Sequence, residues 1–339
     1  MKPRTLLALA VVAAALLAVG RGAVAISPAE VMAALGDRLG VDLGDIAARK
    51  AAILWSIRLP RVVLAVLVGA ALGASGATLQ GVVRNPLADP GLIGVSGGAA
   101  LGAIGWIVVG KSIATPWGVW PLPLAAFAGA LATTAIALQL ARVEGRTSAV
   151  TLLLGGIGLA SLTGALVGIL IFVADDTALR SITFWSLGSL GGATWPLVGA
   201  AAVPIGLGLA LLPRLARDLD RLALGELEAW HVGVDVERVI RRATLATALA
   251  VGAAVATCGM IGFVGLIVPY LARGALGPGH RRLLPASALG GALLLVLADL
   301  IARTIAAPAE LPVGILTAAV GAPILLVVVR RGRAGEVLP

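Results

Sequence analysis

Arg84-Asn85-Pro86-Leu87-Ala88-Asp89-Pro90-Gly91 is a polar, proline-rich kink set between two apolar segments, Arg61–Gly73 and Leu92–Gly102. Two prolines, an amide and a carboxylate beside bilayer-length apolar sequence are costly unless the backbone there lines a path or docks a partner. The kink therefore marks a membrane protein with a specialised irregular segment.

Composition widens that reading to the whole chain. Of 339 residues, 59% are hydrophobic and 13% are charged, about half the charged share of a soluble domain. Glycine, with 45 copies, is abundant. Gly69/Gly73, Gly94/Gly98/Gly102 and Gly164/Gly168 recur at four-residue spacing, which lets membrane helices approach closely. Helix packing explains these glycines better than a pore lining does.

A net charge of +9 raises the question of nucleic acid. The basic residues are scattered among the ends of apolar runs, with no basic stripe, so membrane topology accounts for them and no nucleic-acid partner is expected. Cys258 has no second cysteine to pair with, and His231 and His280 are the only histidines. No metal site is expected.

Spans of roughly 20 apolar residues cross a bilayer core. Ten such runs are present: Leu6–Ile26, Val62–Val83, Leu92–Val109, Val119–Ala141, Ala149–Val173, Trp195–Leu212, Val239–Cys258, Ile261–Leu276, Leu284–Ile301 and Val313–Val329. The eighth is short and carries Pro269, so a break or a turn shared with the seventh is expected. The first run follows Lys2 and Arg4 and precedes Ala23-Val24-Ala25, in imitation of a secretory signal. It is long enough to span, and a retained helix is expected. With the amino terminus inside, the inner loops hold most of the 26 Lys and Arg residues, so both termini are placed in the cytoplasm. Outside lie a Ser27–Ser56 segment with the charge pattern of an amphipathic surface helix, and Asp175–Leu190, which could form a re-entrant helix. Pro213–Arg238 is the longest inner loop.

Three further patterns carry chemistry. Gly105-Trp106-Ile107-Val108-Val109-Gly110-Lys111-Ser112 fits the spacing of a phosphate-binding loop. Bulky residues fill it, a membrane span precedes it and Lys111 falls outside, so Lys111 reads as a helix-end anchor. Asp299 and Arg303 stand at ion-pair spacing on one helix face, and the scarcity of other intramembrane carboxylates disfavours a proton-driven machine. Val68-Gly69-Ala70-Ala71-Leu72 with Gly76 echoes Val251-Gly252-Ala253-Ala254-Val255 with Gly259, in opposite senses across the membrane. Transporters with inverted repeats show such echoes. A stand-alone secondary transporter or channel is thus the alternative reading.

Several segments together resemble the FecCD-type permeases, the membrane subunits of ATP-binding-cassette (ABC) importers for iron-siderophores, heme and vitamin B12. They include Arg58-Leu59-Pro60-Arg61, the Arg84–Pro90 kink, Trp185-Ser186-Leu187-Gly188-Ser189-Leu190, Leu224-Gly225-Glu226 and Gly262–Pro269. His280–Ser287, Ala298–Arg303, Glu310–Thr317 and Gly321-Ala322-Pro323 complete the series. The resemblance covers the chain from about Arg58 onward. It implies an all-α polytopic membrane protein with the type II importer fold, one transmembrane domain over residues 1–339, ten helices per subunit and a location in the bacterial inner membrane.

It also implies partners: a second copy of the chain, two separate ATPase subunits that hold ATP and Mg, and a periplasmic binding protein. The chain itself would then be no enzyme and need no cofactor. By the same resemblance Arg58, Arg61 and Arg303 dock the binding protein, an assignment that suits the planar guanidinium's bidentate grip on carboxylates. Asn85, Leu87, Thr147 and Ser148 align with a cytoplasmic gate, though Asn, Thr and Ser there would also serve as helix caps. Residues 221–233, with Arg221, Gly225, Glu226 and Gly233, match the segment that couples to the ATPase. Tyr270 departs from the histidine common in the family.

Overall fold

A computed structural model describes residues 3–22, 24–110, 118–143, 146–307 and 309–333. Helices dominate: α1 (Pro3–Gly20), α2 (Pro28–Leu39), α3 (Ala48–Ile53), α4 (Leu59–Val82), α5 (Val95–Val109), α6 (Pro121–Leu140), α7 (Ala149–Phe172) and α8 (Asp176–Leu187). They continue as α9 (Trp195–Leu211), α10 (Ala216–Leu222), α11 (Glu226–His231), α12 (Val236–Cys258), α13 (Val264–Leu276), α14 (His280–Ala302) and α15 (Val313–Arg333). Arg142–Val143 and Arg146–Thr147 form a short antiparallel pair that closes the α6–α7 hairpin.

Among the described residues seven helical segments are long and apolar enough to cross a membrane, and α5, α13 and the apolar part of α15 are shorter apolar helices. The segments containing α4 and α12 are each 78% buried within the chain, against 17% for α7. Thus α4 and α12 form the pillars, and α7 lies at the periphery.

Small residues decide the central packing. Going up α4 and down α14, Arg61 meets Asp299, Gly69 meets Gly291 and Gly73 meets Ser287, so the two helices run antiparallel. A Cβ on Gly69 or Gly73 would overlap main-chain atoms of α14. α5 and α6 form a second antiparallel seam, where Gly98 packs on Gly129 and Thr133, and Gly102 on Ala125. In lipid, where burial alone gives little reason to associate, such close approach supplies the attraction.

The apolar runs all became helices, with shifted edges. The largest correction concerns α4: helix begins near Ala48, not Val62, and runs on for 35 residues to Val82. Pro60 deprives the helix of one donor, which reads in sequence as a start. A π-helical turn, Leu54–Arg58, absorbs the ring, and Leu59 N–H bonds Leu54 O. The third run is split by Gly94 (φ +85°), which separates a 3-10 turn (Pro90–Ile93) from α5. α14 starts at His280 rather than Leu284. The eighth run is short, as expected, but Pro269 lies inside an unbroken helix, and the true start is set by Phe263 in the left-handed region (φ +68°).

Candidate functional site

Polar residues gather at the two ends of the bundle. At the end bearing α2 and α3, Arg61 donates through Nε to Asp299 Oδ1 (2.8 Å) and through Nη1 to Glu310 Oε2 (2.7 Å). Arg303 lies 3.7 Å from the other Asp299 oxygen and also donates to Ala18 O. Arg58 donates to Val19 O (2.7 Å), Gly20 O (3.0 Å) and Val24 O. Arg58 and Arg303 therefore satisfy the last carbonyls of α1, where a helix terminus favours cations. The structure brings Arg58, Arg61 and Arg303 together, but all three are buried, and each donates to an internal acceptor. Glu310, with its side chain 49% exposed, is the open member of the network. On the nearby surface Ser27 and Glu30 form a capping box for α2. Lys50, with help from the Ser27 amide, holds the Glu30 carboxyl down at about 2.

The opposite end carries α10 and α11. The decisive kink is a chain of tight turns there. Arg84 takes φ +51°, rare for a residue with a side chain. Asn85 Oδ1 accepts the Leu87 N–H (2.9 Å), and Asp89 Oδ1 accepts the Gly91 N–H (2.8 Å). Asn85 thus caps its own turn. Leu92 O packs on Gly156 of α7, so the turn leans on that helix two turns above its start.

Thr147 and Ser148 stand at the start of α7. Ser148 occupies the N-cap position of α7 but makes no side-chain cap bond. The cap comes from α11: Glu226 Oε1 accepts the Ala149 N–H at 3.3 Å, a carboxylate at the positive end of a helix. Thr147 lines a cleft of about 660 Å³ with Glu226, Leu227, Trp230, Gly233 and Val236. Among the described residues no hydrogen bond joins Asn85 or Leu87 to Thr147 or Ser148. Through this cleft and the Glu226 contact, Thr147 and Ser148 stand beside the expected coupling segment.

That segment is a helix–turn–helix. Gly225 (φ +131°) separates α10 from α11, and Gly233 (φ +83°) ends α11 before Asp235 caps α12. Arg221 pairs with Asp218 at 3.3 Å, on an exposed face. Leu224, Leu227, Trp230 and Val232 are 58–70% exposed. Four large apolar side chains around one six-residue helix, at a charged end of the molecule, form a surface made to be covered. The sequence signalled the glycines and Glu226; Leu227 and Trp230 were missed because six residues are too few to show a period.

The phosphate-loop pattern finds no support. Gly105–Val109 are the closing turns of α5, whose amides are spent within the helix, whereas a phosphate cradle opens one. Lys111 and Ser112 lie outside the described residues.

A many-span helical bundle with large apolar side chains exposed at one end defines a class: membrane subunits of transport machines. The chain belongs to the FecCD transport family, whose profile matches residues 8–331. It is 47% identical over 289 residues to the hemin transport system permease protein HmuU of Yersinia pestis, covering 83% of this chain and 84% of that one. Against the vitamin B12 import system permease protein BtuC of Vibrio cholerae it is 45% identical over 276 residues, 81% of each chain. A solved structure of a metal-chelate type ABC transporter in an inward-facing conformation superposes with a TM-score of 0.85 at 32% identity, over 97% of this chain and 99% of the other.

Proposed function

We propose that this chain is the permease of an ABC importer that carries heme, vitamin B12 or an iron chelate from periplasm to cytoplasm. The observation that carries the reading is α11: a short helix that exposes Leu227 and Trp230 and whose Glu226 caps the N-terminus of α7. A partner that grips α11 thereby holds a membrane helix. We assign that partner as one of two ATPase subunits, which supply ATP and Mg. Their closure would tilt helices as rigid bodies. Arg4, Arg84, Arg142, Arg214, Arg217, Arg238, Arg281 and Arg282 surround this end, which supports a cytoplasmic assignment with both termini inside.

We assign ten spans, counting the three shorter apolar helices with the seven long helical segments, a count that the lengths and composition of these helices support. A second copy is placed against α7, whose Val150, Leu154, Ile157, Leu162 and Ile169 are exposed. The α2–α3 end is the proposed docking face for a periplasmic binding protein, with Arg58, Arg61 and Arg303 at its root. For these arginines to grip a partner's carboxylate, an internal acceptor must first be exchanged, and half-exposed Glu310 is the one placed to leave. Asp299 is shared by two arginines, which supports a bracing role rather than proton carriage.

Reconstitution tests the reading. The chain, its ATPase and its binding protein are placed in liposomes, and hemin, cyanocobalamin and ferrichrome are offered in turn. ATP-dependent uptake of one of the three is expected. Uptake by the permease alone, without ATP, would establish a stand-alone transporter instead.

A further inference from the structure

The α10 helix, which leads into the coupling segment, gives this end a second contact with the bundle. One oxygen of Asp220, Oδ1, accepts the main-chain N–H of His280 (2.8 Å) and lies 2.7 Å from His280 Nδ1. His280 is the first residue of α14. Its side chain is 5% exposed, against 37% for Asp220. A carboxylate on a surface helix therefore caps a membrane helix and fixes its first side chain.

The imidazole is wedged from its other side. A Cβ on Gly81 of α4 would overlap His280 Nε2, and that nitrogen has no hydrogen-bond partner among the described residues. Asp220 on one edge and the α4 backbone on the other determine where the ring sits. The neighbouring Gln80 carries the contact onward. Its Nε2 donates to Leu266 O of α13 (3.1 Å) and reaches Ala88 O (3.4 Å) inside the polar kink. Its Oε1 accepts from Arg273 (3.2 Å), and its main-chain oxygen accepts the Asn85 N–H (3.1 Å).

The contacts thus run without a gap from α10 through Asp220, His280 and the Gly81–Gln80 step of α4 into the Arg84–Gly91 turn. We propose that Asp220 and His280 are positioning residues that transmit movement of the coupling segment to that turn, as a second arm distinct from the Glu226–α7 contact. The inference rests on the reading of the chain as an ATPase-driven permease. A purely structural tie would change stability; a transmitting tie changes how much transport each ATP yields.

The test uses the reconstituted complex and whichever of hemin, cyanocobalamin and ferrichrome it transports. His280→Leu keeps the main-chain cap and removes only the side-chain donor, and Gly81→Ala displaces the ring from the α4 side. In each variant that assembles, transport per ATP hydrolysed is expected to fall about fivefold while ATPase association is retained. His280→Asn, whose amide can still donate to Asp220, is expected to recover the ratio to within about twofold, and Asp220→Ala/His280→Leu to lose no more than Asp220→Ala alone. Unsubstituted ratios in assembled His280→Leu or Gly81→Ala overturn the relay alone, as does His280→Asn performing no better than His280→Leu. Absence of ATP-dependent uptake by the unsubstituted complex overturns the permease reading and the relay with it.

Discussion

The two ends of the bundle solve opposite problems with the same residue types. At the α2–α3 end, Arg58, Arg61, Arg303 and Asp299 are buried and bonded inward, so charge braces helices against one another. At the α10–α11 end the charges stand in solvent, and leucines and a tryptophan point outward. One end is built closed and the other is built to be completed by a partner. Charge placement, not charge content, separates a brace from a joint.

The largest effect should come from breaking the brace. Asp299→Ala leaves Arg61 and Arg303 buried with half their compensation, and losing one member of a buried pair costs about 3–5 kcal/mol. Thermal unfolding in detergent should drop sharply, whereas the paired replacement Arg61→Met/Asp299→Leu should recover much of the loss. If Asp299→Ala unfolds like the unsubstituted chain, the α2–α3 end is no brace and the contrast fails. Gly73→Ala comes next: its methyl would overlap Ser287 O, and overpacking of this kind costs about 1–3 kcal/mol. Its effect on stability should be present with or without partners.

The joint should respond differently. Trp230→Asp or Leu227→Asp places a charge on a surface that is already exposed, so the unfolding temperature of the permease alone should stay put. Co-purification of the ATPase should fall tenfold or more, about 1.4 kcal/mol, in line with the loss of an aromatic anchor from an interface centre. A variant that lost stability without losing the ATPase would show α11 to be core. Glu226→Gln tests the weaker contact within the same end. Removing its charge from the start of α7 should cost about 0.3–1 kcal/mol, visible as faster amide exchange in the first turn of α7.

Much of this was legible in sequence, for reasons that also mark its limits. Ten apolar runs declared themselves because a bilayer demands long uninterrupted segments, and each proved helical. The helix that contains α4 begins well before the apolar run at Val62, because a π-turn at Leu54–Arg58 precedes Pro60 and is invisible to the α-helical period. Arg61 and Asp299, 238 residues apart, were each noticed, but nothing local says that they pair. The resemblance offered Arg58, Arg61 and Arg303 as docking residues, while the burial of Arg58 and Arg303 follows from the three-dimensional course of α1. Thr147 and Ser148 read as gate or cap; the actual cap, Glu226, comes from another element, where sequence spacing carries no information.

The smallest expected effect lies just outside the brace, on the surface helix α2. Glu30 bonds Lys50 Nζ at 2.7 Å and accepts the Ser27 N–H at 2.8 Å. These contacts hold its carboxyl near 2, below the ordinary 4.5 of a glutamate. A depressed carboxyl contributes stability that is fully present above its unfolded value and is lost as pH falls through its folded value. The loss should therefore develop between about 4.5 and 2 and be complete below that. Because the pair is exposed, salt should weaken it at every pH. Glu30→Gln should abolish this pH-dependent component, measured as amide exchange of α2 titrated from neutral to acid, and leave α4 and α14 unchanged. If acid instead loosened α4 with α2, surface and buried charges at this end would form one cooperative unit, and the brace would extend to the α2–α3 surface.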